Sequence, residues 1–113
     1  MRKTQLGKIL RIHIAESDRF DGRPLYEAIV DRCRELNIAG ATVFLGLEGY
    51  GETAGMHRSH LLHRDRPVVI VVADTEETIA RLTPEVERMA HTGVLAVSDV
   101  RMVRVEKDAG PSC

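Results

Sequence analysis

The stretch Ala39-Gly40-Ala41-Thr42-Val43-Phe44-Leu45-Gly46-Leu47-Glu48-Gly49-Tyr50-Gly51 alternates small and apolar side chains through a strand predicted over 41–47. It then meets three glycines, at 46, 49 and 51, and runs into a polar segment carrying three histidines and three arginines. Glycine tolerates positive φ and lets a second molecule approach the backbone closely. A strand that gives way to such a segment is expected to act as a platform for a binding or signalling arm over 47–66. A loop of that length in a small domain is more often functional than structural.

Upstream, Lys8-Ile9-Leu10-Arg11-Ile12-His13-Ile14 places Leu10, Ile12 and Ile14 on one face with Arg11 and His13 on the other, which predicts a strand. Residues 1–7 read as an unanchored lead-in. A turn is expected at Asp21-Gly22. Pro24 suits the first position of a helix, and Leu25, Ile29, Cys33 and Leu36 follow at helical spacing, with an end near Asn37. Downstream, Pro67 leads the β-branched run Val68-Val69-Ile70-Val71-Val72-Ala73. Asp74 is expected to cap the next helix, with Glu77 in capping-box spacing. Ile79, Leu82, Val86 and Met89 share one face of that helix, in phase across Pro84, which predicts one kinked helix. A last strand is expected from about Leu95 to Val105, with Ser98-Asp99 as an irregularity, and 106–113 reads as a tail.

The order β-α-β-β-α-β predicts an α+β, ferredoxin-like sandwich over 8–105, with two helices on one face of a four-stranded antiparallel sheet. A free monomer of that kind should alternate apolar and polar along its strands. Here the third strand is apolar on both faces, and Phe44 opposes Val43 and Leu45 on the second. An uncovered apolar sheet face calls for a partner, so an oligomer is expected.

Composition narrows the function classes. The chain has 113 residues, 43% apolar and 29% charged, with a net charge of −1. That balance points to neither nucleic acid nor membrane insertion, and aromatics at 4% with no Trp leave little for base stacking. The longest apolar run is too short to span a bilayer, and the basic N-terminus lacks a following apolar stretch. Two cysteines, Cys33 on a helix face and Cys113 at the end, fit reduced thiols and a cytoplasmic setting. No G-x-S-x-G, P-loop or H-E-x-x-H motif is present, so an enzyme is the weaker reading.

The segments Ile14-Ala15-Glu16-Ser17-Asp18, Gly22-Arg23-Pro24-Leu25-Tyr26-Glu27-Ala28-Ile29-Val30, Ala39-Gly40-Ala41-Thr42-Val43, Gly49-Tyr50-Gly51, Met56-His57 and Pro67-Val68-Val69-Ile70 together resemble family 190 among the domains of unknown function. The resemblance runs from about Lys8 to Val105. That family is similar to the PII signalling proteins, which implies a homotrimer with a mobile loop after the second strand. It also implies a membrane-transporter partner, such as the fluoride-exporting channels beside which members are found. PII relatives bind adenine nucleotides in inter-subunit clefts, using the loop base and the turn after the second helix. By position these are Gly46, Gly49, Tyr50 and Gly51, and Thr92-Gly93. The PII phosphate loop at that turn is replaced here by Thr92-Gly93-Val94-Leu95, which implies a smaller ligand such as a nucleoside monophosphate or another small anion.

Several side chains suit such a site. Glu16 and Asp18 could take a ligand hydroxyl or a cation, and Asp18 could equally serve its own turn amides. Thr42 and Tyr50 offer hydroxyls beside glycines. His57 matches the family pattern. Arg58, Arg101 and Arg104 have guanidinium forks suited to anions, or else serve as surface charges. His57, His60 and His63 form H-x-x-H-x-x-H, in which residues three apart share a helix face and could chelate zinc or copper. The copper-tolerance CutA proteins share the trimeric architecture, so a metal-binding protein is the alternative to a regulatory one. Solvated loop histidines are the plainer account.

Overall fold

The computed structural model describes residues 2–49 and 65–106. Among the described residues the main elements follow one another as β1 (Arg2–Ala15), α1 (Leu25–Glu35), β2 (Thr42–Leu45), β3 (Pro67–Asp74), α2 (Glu76–Met89) and β4 (Val94–Val105), with a short hairpin of Arg19–Phe20 and Arg23–Pro24 before α1. The sheet order is β2-β3-β1-β4, antiparallel throughout. The ferredoxin-like sandwich expected from the element order is present.

Register explains how one core suffices. Leu10, Ile12 and Ile14 of β1 sit beside Val72, Ile70 and Val68 of β3 and share the helix-side face. Against them pack Leu25, Ala28, Ile29 and Cys33 of α1 and Ile79, Leu82, Val86 and Met89 of α2. The helical stripes read from the sequence are these buried positions, except that Leu36 is the cap residue after α1 and only partly buried against the core. Burying a Leu or Ile side chain contributes about 1.5–3 kcal/mol, so this layer holds the fold together.

The helix boundaries come from local chemistry. Pro24 has φ −58° and ψ 132°, so it is the cap residue before α1 and not its first turn. Its extended ψ lets Arg23–Pro24 pair with Arg19–Phe20 across a tight turn, in which Asp21 and Gly22 both take positive φ. The other end of α1 closes with Asn37 at φ 60°, its amide bonding Arg34 while the Ile38 amide bonds Cys33 at 3.0 Å. That is a Schellman closure, and it tucks Ile38 into the core. At α2 the cap is Thr75, whose hydroxyl accepts from the Thr78 amide at 3.2 Å. Asp74, the expected cap, instead accepts from the Thr75 amide at 2.7 Å and the Ala39 amide at 3.5 Å. A residue one place nearer the helix reaches its free amides with better geometry. The helix runs unbroken through Pro84, which lies on the exposed side.

Two expectations about the outer strands are corrected. Residues 2–7 are strand, paired along their length with Val100–Val105. Lys3-Thr4-Gln5 carries no apolar alternation, so backbone pairing with a long neighbour decides the strand where side chains do not. Ser98 and Asp99 keep register with Ile9 and Lys8, without irregularity, and a Lys8–Asp99 ion pair at 2.7 Å lies across the two strands.

Cys33 is 3% exposed, as expected of a structural thiol. Burial pushes the thiol up to about 11. An unfolded thiol ionises near its ordinary value of about 8.5. Between those values the unfolded chain has released a proton that the folded chain keeps, so stability falls as pH rises through that window. The loss should reach on the order of 2–3 kcal/mol by about pH 11. Urea midpoints measured at increasing pH should show this slope in the native chain and a shallower one in Cys33→Ala.

Candidate functional site

The C-terminal ends of β1 and β2 and the N-terminal ends of β3 and β4 lie together at one end of the sheet, because neighbouring strands run in opposite directions. At this end the segment after β1 is fastened to the residues just before β3. The Glu16 amide donates to the Arg66 carbonyl at 2.9 Å. The Ser17 amide and hydroxyl both donate to the Asp65 carboxylate, at 3.0 and 2.7 Å. The Arg66 guanidinium stands 3.9 Å from the Glu16 carboxylate, both partly exposed, so their attraction is worth little by itself.

Asp18 takes the turn role weighed for it. Its carboxylate accepts from the Ala15 amide at 3.0 Å, and its carbonyl accepts from the Leu25 amide at 2.8 Å. It therefore shapes the entry to α1.

Pro67 sets the other foot of the arm. The Gly46 amide donates to the Pro67 carbonyl at 2.7 Å. A Cβ at Gly46 or Gly49 would meet the Pro67 ring at 2.6 or 2.8 Å, so the chain passes too close for any side chain. The turn after α2 is as tight, since a Cβ on Gly93 would lie 2.9 Å from the His13 carbonyl. Glu16, Gly46, Gly49, Thr92 and Gly93 thus share one end of the sheet, but not one spot. Gly46 follows the β2 edge and Gly93 precedes the β4 edge, three strand spacings or about 14 Å apart.

Thr42 lies farther down β2, opposite Val71 on the face away from the helices. Arg101 and Arg104 pair with Leu6 and Lys3, at the far end of β4 from the loop base. Within one chain they do not join the other site residues. Arg101 lies seven positions along β4 from Val94, roughly 24 Å of strand. Tyr50, Gly51, His57, Arg58, His60 and His63 lie outside the described residues, as does most of the 47–66 arm. Among the described residues no three His, Cys, Asp or Glu side chains converge as a metal site would require. None of the helices described is long and apolar enough to cross a membrane.

Ser17 is the side chain that sequence reasoning passed over. Its partner Asp65 is 48 residues away, and nothing in the local pattern announces that contact.

The family model for domain of unknown function 190, described as an uncharacterised ACR, matches residues 7–102. The chain belongs to this family. A UPF0166 protein of Aquifex aeolicus (strain VF5) is 36% identical over 98 residues, covering 85% of this chain and 92% of that one. Among solved structures, the apo form of CPII from Thiomonas intermedia K12, a nitrogen regulatory PII-like protein, superposes with a TM-score of 0.65 at 21% identity, over 93% of this chain and all of that one. CPII bound to ADP and bicarbonate gives the same TM-score at 26% identity, covering 88% and 91%. This member of family 190 therefore has the PII-like fold.

Proposed function

We propose that this family 190 protein is a PII-like regulator whose trimer binds a small anion, an adenine nucleotide by preference, at the seams between subunits. The segment between Gly49 and Asp65 then carries the signal to a partner such as a membrane transporter.

The observation that carries this reading is the placement of the glycine turns. In one chain the loop base at β2 and the Thr92-Gly93 turn before β4 sit at the same end, on opposite bare edges of the sheet. β2 runs toward that end and β4 runs away from it. When copies are related by rotation about an axis along the strands, β2 of one meets β4 of the next antiparallel. The Gly46–Gly49 foot then comes beside the neighbour's Gly93, and a cyclic array closes without a free edge. Backbone amides at two glycine turns suit an anion. Glu16, just after β1, would accept from a ribose hydroxyl. A relative that binds ADP with bicarbonate supports the choice of nucleotide and small anion.

The face that would turn inward carries apolar side chains on β2, β3 and β4, beside Arg11 and His13 of β1. Phe44 of β2 is 55% exposed, and Val69 and Val71 of β3 and Val100 and Met102 of β4 share its side of the sheet. Such an uncovered face is what subunit contacts bury.

Titration calorimetry with AMP, ADP, ATP and bicarbonate tests the reading. Saturable nucleotide binding is expected, weakened at least tenfold by Gly49→Val, whose side chain would collide with Pro67. Binding is expected to vanish in a folded monomeric variant, because each seam needs two copies. A monomer that binds as tightly as the native protein would overturn it.

A further inference from the structure

The sheet face turned away from the helices is one-sided in charge. Register places Lys3, Arg11 and His13 of β1 and Arg104 of β4 on it, and no strand position on this face is an Asp or a Glu. Lys3 and Arg104 lie toward the far end, ten residues of β1 from His13. Arg11 and His13 lie in the part where all the strands run side by side.

His13 stands between Val69 of β3 and Val94 of β4 and is half-buried. Neither neighbouring strand offers it a titratable group, since Pro67 and Val71 of β3 and Ala96 of β4 are the next residues on the same face. The nearest charge along its own strand is Arg11, two positions and roughly 7 Å away. At this end of the sheet the carboxylates of Glu16 and Asp65 are turned to Arg66 and Ser17. Among the described residues the imidazole therefore has a cation for company and no acid.

Arg11 tolerates such a place better than a protonated histidine would. It is exposed, and its long stem carries the guanidinium to the Ser98 hydroxyl at 3.4 Å. Such a side chain lays its apolar stem on the face and keeps its head hydrated. The histidine ring is held close to the backbone and has no comparable reach.

We propose that His13 makes the assembly of this chain sensitive to pH: the trimer closes on three neutral imidazoles and opens when they take up protons. The inference rests on the trimer proposed above. In that trimer β1 is an inner strand of each sheet, so His13 turns toward the same face of the other copies. What it meets there is more valine, more Arg11 and more His13. An imidazolium so placed would lose its water and gain only like charges. In a free monomer the ring still faces water and can take the proton. Closure therefore expels protons, is favoured above the ordinary histidine range of about 6.5, and weakens as pH falls through it. Since each ligand seam needs two copies, acid would empty the seams by opening them.

Sedimentation velocity of the full chain across a concentration series, at pH 8 and pH 5.5, without nucleotide, tests this. The concentration at which half the protein is trimeric is expected to rise about tenfold or more at the lower pH. His13→Gln should form a trimer at both values, with less than a threefold difference. His13→Lys, which carries a charge throughout, should be a folded monomer at both. His91→Gln, altered at an exposed histidine after α2, should respond to pH as the native chain does. Circular dichroism confirms that each variant is folded. A native trimer equally stable at both pH values would overturn this inference and leave the regulator reading standing, as would a pH response that survives in His13→Gln. A native chain that is monomeric even at pH 8 would instead overturn the assembly, and this inference with it.

Discussion

If the proposed assembly is right, the native chain is expected to sediment as a trimer and Val71→Asp as a folded monomer. Val71 lies in the middle of β3, beside Thr42 and Arg11 on the face turned away from the helices. Nothing in the core touches that face, so an aspartate there can remain hydrated in the monomer at small cost. In the assembly the same carboxylate would be buried against apolar neighbours of the other copies, three times over. Even with Arg11 across the ladder to offset it, taking a carboxylate out of water there costs several kcal/mol per copy, enough to disfavour the assembly. Sedimentation velocity and circular dichroism read the two halves of the expectation. A trimer that persists with native stability would show that this face is not the contact.

The adjacent residue gives the opposite result. Ile70→Ala is expected to lower folding stability by about 2–5 kcal/mol while the remaining folded molecules still associate. Ile70 is fully buried, paired with Ile12 of β1 and Val43 of β2, in the layer roofed by α1 and α2. Truncation removes apolar contact and leaves a cavity that two helices and a sheet cannot easily close. For a domain of this size, each kcal/mol lowers the melting temperature by about 4 °C, so a fall of roughly 8 °C or more is expected. Thermal unfolding by circular dichroism measures it, and a shift within a degree or two would mean that the core lies elsewhere. One residue step along β3 thus separates stability from assembly, because successive strand side chains face opposite ways.

The places where sequence and structure part company have physical causes. Leu10, Ile12 and Ile14, and the stripes Leu25–Ile29–Cys33 and Ile79–Leu82–Val86–Met89, were legible because burial imposes a period on the chain. The strand character of Arg2–Gly7 was not, since its pairing with β4 is made by backbone groups common to every residue. Asp74 and Thr75 were separable only by which oxygen reaches the free amides of α2. Of the candidate site, Glu16, Gly46, Gly49, Thr92 and Gly93 lie at one end of the sheet, spread across its width. Arg101 and Arg104 do not, because the chain direction of β4 carries them to the other end.

By itself the sequence determined the two-layer architecture, the inward faces and the glycine turns, since these follow from side-chain chemistry repeated at helical or strand spacing. The tertiary structure alone decided that Ser17 grips Asp65, that β1 and β4 pair on past the rest of the sheet, and which residues share an end of it. Those depend on strand register and direction, which bring together groups tens of residues apart that leave no mark on their own neighbours in the chain.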